Sequence, residues 1–265
     1  MAVSNTTALS RVIGIEKSSA HNGEAPTCGC YTYIMGNTVG SSNLRFWNQF
    51  VEVEDFYCLG LWCADGYHRT SSIGITNINR DLVEKFRQFL IRKVGESRLK
   101  IRVYYPLGQL LNAEAFSDLA RDVRAYHMRK CSQPAMQLYV NSRPLLRAFR
   151  EARTRVGEIR SSEHVQAYFA GRFDGDGSVS NNMRSDCRIV YSNREEALED
   201  SKLLQKIGMI RSKVFHYKKA GTYCLYISRF EAENFIHAIG AQSVIISSKN
   251  VNSNPVETLS FIREG

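Results

Sequence analysis

A short motif occurs twice in the chain, and it constrains the fold more than any other feature of the sequence. The first copy covers residues 58–66 (CLGLWCADG) and the second covers residues 169–177 (FAGRFDGDG). Each copy has two small residues four positions apart, followed by an acid and a glycine. Small residues one helical turn apart allow two backbones to approach closely. The sequence therefore predicts two helices that pack against each other along these residues.

The acid near the end of each copy, Asp65 or Asp176, is the residue with the clearest chemical consequence. The glycine that follows it favours a helix end at this point. If the two helices pack together, the two carboxylates emerge side by side. Adjacent carboxylates repel each other unless a cation lies between them, and a divalent metal ion is the usual solution. The pattern favours a metal-dependent phosphodiester enzyme.

The charge of the chain points to a polyanionic partner. The net charge is +9 and the sequence pI is about 9.2. A surplus of this size favours nucleic acid first and an anionic membrane second, and a basic protein with neither partner stays open. No apolar run approaches the ~18 residues needed to cross a bilayer. Seven scattered cysteines and a polar N-terminus without a secretory block predict an intracellular protein, cytoplasmic or organellar and not secreted.

The order of elements after each motif also repeats. Helical spacing of apolar residues predicts helices over 81–94 and 195–207, and a final amphipathic helix closes each half near 145–156 and 231–239. Alternating residues predict paired strands between these helices. The sequence therefore predicts an α+β fold of two pseudo-twofold-related αββαββα half-domains, with the motif helices packed at their interface.

The two halves differ in one connection. A segment between the third and fourth strands of the first half is long, predicted partly helical over 114–126 and basic toward its end. Loops of this length in a compact domain usually carry function or move. The predicted organisation is a partly disordered N-terminal extension (1–50), a first half-domain (51–156) with an insert (106–134), a linker (157–163) and a second half-domain (164–265).

The two motifs resemble those of the LAGLIDADG homing endonucleases, in the single-chain form that carries both copies. The second copy, with Tyr168 before it and Ser178 after it, is a close match, and the first looks like the variant that ends in Ala-Asp-Gly-Tyr. The resemblance covers residues 53–250. It implies an intron-encoded, monomeric enzyme that cuts both strands of a specific double-stranded DNA target. It also implies that the antiparallel sheets form a DNA-binding saddle.

The resemblance also assigns site residues. It makes Asp65 and Asp176 the catalytic, metal-binding carboxylates, with the adjacent Gly66 and Gly177 in the metal site. The cofactor would be Mg²⁺ or another divalent cation such as Mn²⁺, because hard cations prefer oxygen ligands. Lys249 resembles the catalytic lysine that follows the last helix of a half, although a solvated surface lysine explains it equally well.

Two further comparisons with the family pattern concern the first half. The earlier acid of the motif is Asp174 in the second copy but Cys63 in the first. Because this position precedes the helix end, we expect it to face the core and to serve local structure. At the place of Lys249 the first half offers only Arg153 and Arg155, so its basic catalytic residue stays open.

DNA contacts are expected from the outward faces of the strands, since a curved antiparallel sheet fits the major groove. For any single residue a solvated surface is an equally good explanation. The predicted DNA-binding residues are His68, Arg69, Ser71, Ser72, Lys100 and Arg102 in the first half and Asn181, Asn182, Arg184, Arg188, Lys213, His216, Lys218 and Lys219 in the second.

A second hypothesis keeps the fold without cleavage. The chain would then be an intron RNA maturase, with the host intron RNA as its partner, or a DNA-binding regulator. Loss of either motif acid would favour this hypothesis, and both Asp65 and Asp176 are present. A maturase can retain both acids, so the sequence leaves a dual activity open.

Overall fold

The computed structural model describes residues 49–69, 71–180 and 185–249, with only the backbone for 248 and 249. The described residues all lie within one compact unit, Ser41–Gly265. The predicted N-terminal extension falls outside the described residues except for Gln49 and Phe50. The Phe50 ring is buried, with its centroid 5.0 Å from that of Phe149.

The first half forms a five-stranded sheet covered by helices. Its strand order is β1-β2-β5-β3-β4, with β4 parallel to β3 and the other pairs antiparallel. The elements are α1 (Val53–Asp65), β1 (Gly66–Tyr67), β2 (Ser72–Asn77), α2 (Arg80–Val94), β3 (Lys100–Tyr105), β4 (Asp122–His127), β5 (Ala135–Asn141) and α3 (Arg143–Thr154).

The second half repeats this order without the parallel strand. Its four-stranded sheet has the order β6-β7-β9-β8, and all its pairs are antiparallel. The elements are α4 (Ser162–Asp176), β6 (Gly177–Val179), β7 (Cys187–Tyr191), α5 (Arg194–Leu204), β8 (Lys213–Tyr217), β9 (Thr222–Ile227), α6 (Arg229–Gly240) and α7 (Val244–Lys249). The predicted α+β fold with two half-domains is confirmed. The helix α4 begins inside the segment predicted as a linker.

Equivalent asparagines start the second helix of each half. The Asn79 carboxamide accepts hydrogen bonds from the backbone of Asp81 (2.8 Å) and Leu82 (3.4 Å) at the start of α2. Asn193 does the same for Glu195 (2.7 Å) and Glu196 (3.2 Å) at the start of α5. An asparagine at this position satisfies backbone donors that have no partner inside the helix. The capping residue is thus part of the internal repeat.

The insert of the first half does not form the predicted helix over 114–126. Only Glu114–Phe116 form a short 3₁₀ turn, and Asp122–His127 form the edge strand β4. Along β4, Val123 and Ala125 pack against the core, while the alternate residues Asp122, Arg124 and Tyr126 are polar or exposed. This alternation has the period of a strand, and pairing with β3 gives it a partner. The prediction of a helix here was wrong because the period of two was overlooked.

The apolar core lies between the helices and one face of each sheet. In the first sheet Ile73, Ile75, Ile101, Val103 and Leu138 point toward the helices and are fully or almost fully buried. The opposite face of the first sheet carries polar residues such as Lys100 and Arg102, and that of the second sheet carries both cations and aromatic rings. Within the described residues, no helix is long and apolar enough to span a membrane.

Candidate active site

The helices α1 and α4 contact each other backbone to backbone. A Cβ atom added at Gly60 would lie 1.9 Å from the carbonyl oxygen of Tyr168, and one at Gly171 would lie 2.0 Å from that of Tyr57. Further along the pair, a Cβ at Gly175 would lie 2.4 Å from the Cβ of Ala64. Only glycine leaves room for this approach, which is why the small residues recur one turn apart.

The two motif acids are the last residues of the paired helices. A Cβ at Gly175 of α4 would lie 3.0 Å from the Oδ2 atom of Asp65, so the Asp65 carboxylate borders the opposite helix. Burial raises the pKa of Asp65 to about 6, and the negative charge of Asp176 acts in the same direction. The Asn77 carboxamide opposes this shift by donating a hydrogen bond of 2.7 Å to Asp65 Oδ2.

The pKa of Asp176 is also raised by burial, and the positive charge of Arg172 opposes the shift. Both carboxylates are therefore partly desolvated, and the charge of one disfavours ionisation of the other. A divalent cation between them would relieve both penalties. The residues present thus fit a hard cation held by carboxylate oxygens.

The donor set does not suit a closed zinc site. Within residues 49–69, 71–180 and 185–249, no group of three or more His, Cys, Asp or Glu side chains is placed to hold a metal ion. Two carboxylates leave several coordination positions for water or phosphate, as Mg²⁺ and Mn²⁺ prefer.

The glycines after the acids, Gly66 and Gly177, begin β1 and β6. Their φ angles are −64° and −88°, so neither adopts the left-handed conformation that commonly ends a helix. A Cβ at Gly66 would lie 2.2 Å from the Trp62 carbonyl oxygen, and one at Gly177 would lie 2.3 Å from the Phe173 ring. These glycines are explained by lack of space against the preceding turn. Their predicted part in a metal site stays a prediction.

The two acids have different neighbours at equivalent strand positions. Gly66 pairs with Ile75 and Gly177 pairs with Ile189, so Asn77 and Tyr191 occupy equivalent positions in β2 and β7. The Tyr191 hydroxyl donates a hydrogen bond of 2.7 Å to Asp200 in the core, while Asn77 binds Asp65. Sequence reasoning missed Asn77, although a polar residue at the end of the first full strand after a motif is a detectable signal.

Asp174 serves local structure, in agreement with the expectation from the sequence. Its carboxylate accepts hydrogen bonds from the Tyr57 hydroxyl (2.8 Å), the Val244 backbone amide (2.7 Å) and the Ser243 hydroxyl (2.5 Å). It therefore links α1 of the first half to the start of α7 of the second. Its counterpart Cys63 is buried, and burial raises the pKa of that thiol to about 11.

Arg172 lies in the core beneath Asp176. The side chain is 2% exposed, its Nε atom lies 3.4 Å from an Asp200 carboxylate oxygen, and its guanidinium lies 4.3 Å from the centre of the Tyr191 ring. A cleft of about 270 Å³ beside Asp176 is also lined by Arg153, which pairs with Glu196. The sequence analysis considered two first-half arginines, Arg153 and Arg155. Of these, Arg153 lines the cleft that Asp176 also lines. The other, Arg155, pairs with Glu158.

Three predicted DNA-binding residues, Ser72, Lys100 and Arg102, share the face of the first sheet that points away from the helices. Lys100 and Arg102 are partly exposed there, but Ser72 is buried (8%) and its hydroxyl donates a hydrogen bond of 2.7 Å to Asn141. On this face Arg102 donates to Gln137 (3.4 Å), and Gln137 donates to the Thr76 hydroxyl (3.2 Å). The edge strand β4 extends the face through Lys100 and Asp122, whose charged atoms are 3.5 Å apart.

The predicted residues His68, Arg69 and Ser71 lie in the connection between β1 and β2. His68 and Arg69 are exposed, and the His68 ring lies 5.7 Å from that of Trp62. This connection borders the sheet without belonging to its paired strands. The predicted residues Asn181, Asn182 and Arg184 and the side chain of Lys249 lie outside the described residues.

Two predicted DNA-binding residues of β8, Lys213 and His216, lie on opposite faces of the second sheet. Arg188, Tyr226 and Lys213 lie in one row across β7, β9 and β8 on the exposed face. His216 has the opposite parity in β8, and its ring stacks on Tyr223 with centroids 4.6 Å apart. His216 and Lys213 therefore lie on opposite faces of the sheet, because successive side chains of a strand point to opposite faces. The DNA contact of His216 stays a prediction. Lys218 and Lys219 are exposed in the β8–β9 turn.

The residues that do share the face of Lys213 on β8 are Phe215 and Tyr217. Both are 47% exposed. Sequence reasoning passed over them because a search for DNA contacts that favours charged and polar residues ignores exposed aromatic rings. Taking every second residue of the strand after Lys213 would have identified Phe215 and Tyr217.

Comparisons with known proteins give one family match and several structural likenesses. Residues 163–251 match a family model described as a LAGLIDADG-like domain. A comparison with curated protein sequences gives no match. The homing endonuclease I-DmoI, solved in complex with DNA and Mn, has a TM-score of 0.49 and 19% identity, over 71% of this chain and 96% of that one. Full-length WhiA from Thermatoga maritima has a TM-score of 0.46 and 14% identity, over 80% of this chain and 66% of that one.

The raised pKa of Asp65 predicts that Asp65→Asn stabilises the metal-free protein at neutral pH. The carboxyl has a pKa of about 6 in the folded protein and an ordinary value of 3.8 when exposed to water, so its ionisation opposes folding as the pH rises through this range. Asparagine removes this cost, which is ~2 kcal/mol above pH 7 after allowance for partial solvent access. Chemical denaturation in EDTA should show the gain at pH 7.5 and little of it at pH 4. An equal gain at both pH values would contradict the assignment of the cause to ionisation.

Proposed function

We propose that the chain is a divalent-metal-dependent endonuclease that hydrolyses both strands of a specific DNA duplex. The observation that carries this proposal is the pair Asp65 and Asp176, which end two helices in backbone contact and whose carboxyl pKa values are both raised by burial. A cation bound between the two carboxylates would offset the cost of burying their charges. The pair lies where the two half-domains meet. The family match of residues 163–251 supports the same function.

In this proposal Asp65 and Asp176 hold divalent ions such as Mg²⁺ or Mn²⁺ through their carboxylate oxygens. A bound ion supplies Lewis acidity to the scissile phosphate and lowers the pKa of a coordinated water. Asn77 orients the Asp65 carboxylate through its hydrogen bond. Arg172 favours the ionised form of Asp176 that metal binding requires. The role of Lys249 as a basic catalytic residue remains a prediction from the sequence.

The exposed faces of the two sheets supply the proposed DNA surface. Each face presents cations, such as Arg102 on the first sheet and Lys213 on the second, on strands that can enter a major groove. The net charge of +9 favours binding to the phosphate backbone. One duplex held across both sheets would place its phosphates near the acids at the interface. A single chain carries both motifs, so a monomer is sufficient.

The function is tested by selecting bound duplexes from a random library and assaying the selected duplex for cleavage. We expect no cutting in EDTA and double-strand cutting when Mg²⁺ or Mn²⁺ is added, because the acids need the cation to act on phosphate. Binding, measured by fluorescence anisotropy, should persist in EDTA. Cutting at full rate in EDTA would refute the proposed mechanism.

The same experiment separates the alternative function. Tight and specific duplex binding without cutting in any divalent metal would favour a DNA-binding protein that keeps the fold. Preferential binding of the host intron RNA would favour a maturase. Binding without cutting is not expected while both carboxylates remain in place, whereas a maturase can retain both acids, so RNA binding is decided by this measurement alone.

A further inference from the structure

A cleft of about 590 Å³ lies on the exposed face of the second sheet. Lys213, Phe215 and Tyr217 of β8 and Tyr226 of β9 form part of its floor, and Phe230 at the start of α6 stands at its side. None of the functions described so far requires a cleft with this lining. Its composition therefore indicates what the second half recognises.

The cleft is unusually rich in exposed rings. Phe215 and Tyr217 are each 47% exposed and Phe230 is 65% exposed. The Phe215 ring meets the Tyr226 ring nearly at right angles, with centroids 5.8 Å apart, so its remaining surface faces outward. Grouped exposed apolar surface marks a contact site more often than scattered apolar residues do.

Cations surround these rings. Arg188, Arg211 and Lys213 line the same cleft, and no carboxylate is among the described residues that line it. Behind the cleft, Arg188 donates a hydrogen bond of 3.0 Å to the buried Asp186 carboxylate, so Arg211 and Lys213 carry most of the unpaired positive charge. The Arg211 guanidinium lies 5.6 Å from the centre of the Phe230 ring, and that of Arg229 lies 4.7 Å from it. This lining suits an occupant that is anionic and also presents apolar groups. Nucleic acid meets both conditions.

Two buried polar atoms in the cleft lining lack a hydrogen-bond partner among the described residues. They are the Ser228 hydroxyl and the Nε atom of Arg188. Buried polar groups are normally paired, so an unpaired group beside an open cleft suits a ligand with acceptors. Phosphate and base-edge oxygens are such acceptors.

The first sheet presents a different surface. There Arg102, Gln137 and Thr76 are joined by hydrogen bonds, and the Tyr104 hydroxyl also donates to Gln137 (3.1 Å). That face offers polar groups held in fixed positions. The same face also carries tyrosine rings: those of Tyr104 and Tyr126 have centroids 6.0 Å apart, and Arg102 lies 4.8 Å from the centre of the Tyr139 ring. The second face differs in its exposed phenylalanine rings, Phe215 and Phe230, so the two halves present different surfaces to a duplex.

We propose that the cleft recognises the 5-methyl groups of thymines in the major groove of the half-site bound by the second half. Thymine is the base that carries a methyl group there, and apolar side chains are its usual partners. Phe215 and Tyr217 contact the methyl groups, while Arg188, Arg211 and Lys213 face the phosphates. This inference rests on the proposed function, because it assumes a bound DNA duplex.

The test replaces thymine with uracil, which removes only the methyl group. After duplexes are selected from a random library, each thymine-bearing half-site is resynthesised with deoxyuridine, and the Kd is measured in EDTA. We expect replacement in one half-site to weaken binding by about fourfold for each contacted methyl group. Replacement in the other half-site should have little effect.

Variants assign the effect to the cleft. Phe215→Ala should bind the thymine duplex more weakly and should lose its discrimination between thymine and uracil. Leu110→Ala is the control, because Leu110 is an exposed apolar side chain (88%) in the connection between β3 and β4 and lies on neither sheet face. The control should discriminate as strongly as the original protein. Circular dichroism should give the same melting curve for all three proteins.

The outcomes separate the two proposals. Equal Kd values for thymine and uracil duplexes in both half-sites, or undiminished discrimination in Phe215→Ala, overturn the thymine proposal and leave the endonuclease proposal intact. Tighter binding of a single strand than of the duplex overturns it as well, because rings would then stack on bases. If no duplex is enriched by selection, the proposed function fails and the inference fails with it.

Discussion

Asp65→Asn and Asp176→Asn are each expected to abolish double-strand cleavage, with a rate loss of roughly 10³-fold or more, because a metal-held phosphate is stabilised by several kcal/mol in the transition state. Each acid ends one of two helices in backbone contact, and no third His, Cys, Asp or Glu among the described residues is placed to complete a metal site with them. Binding of the duplex should be unchanged or slightly tighter, since a negative charge is removed. The measurement is single-turnover cleavage of the selected duplex with Mg²⁺, together with anisotropy in EDTA.

The control for this prediction is Asp118→Asn. Asp118 is an exposed acid (63%) in the insert, where it pairs with Arg80, and the substitution makes the same chemical change away from the site. It should cut at the original rate. If Asp65→Asn and Asp176→Asn both still cut both strands with Mg²⁺ present, the active-site assignment is wrong.

The second large effect concerns the contact between the motif helices. Gly60→Ala is expected to lower the free energy of unfolding by about 4 kcal/mol or more, because the new Cβ would lie 1.9 Å from a backbone oxygen of the partner helix. A rigid backbone atom cannot yield as a side chain can, so the helices must separate. Chemical denaturation gives the loss directly, and a fall in Tm of about 10 °C should accompany it.

Gly240→Ala is the matched control for this change. Gly240 is also helical, but a Cβ there would meet its nearest neighbouring atom, Ile246 Cγ2, at an ordinary 3.7 Å. Alanine is a better helix former than glycine, so stability should be unchanged or slightly higher. A similar loss at both positions would argue against the backbone contact as the cause.

The repeated motif allowed most of the architecture to be predicted from the sequence. Glycine spacing specified the helix contact, and apolar periodicity located the helices and most of the strands, because these patterns are local and follow directly from helix and strand geometry. The strand β4 was missed, although Val123 and Ala125 alternate with polar residues. A helix and a short edge strand are hard to distinguish when the partner strand, β3, is far away in sequence.

The candidate site was predictable only in part, for a related reason. Asp65 and Asp176 belong to the motif itself, so their placement follows from the helix pair. Asn77 reaches Asp65 only because β1 and β2 pair in one particular register. Arg172 affects Asp176 from the core, where a charged residue is not expected without its partner Asp200. Register and buried pairing depend on tertiary structure and cannot be read from local spacing.

The hydrogen bond between Tyr57 and Asp174 makes the interface between the two halves asymmetric, because only one of the two equivalent positions has it. At the equivalent positions Tyr168 and Cys63 form no such pair, because the Tyr168 hydroxyl donates to Asp200 in its own half (3.0 Å). Two copies of the first half would therefore bring Tyr57 against Cys63 and leave a buried phenol without its acceptor. Separately expressed halves should prefer each other to themselves, so the chain behaves as a covalently joined heterodimer that has lost the ability to assemble from identical subunits.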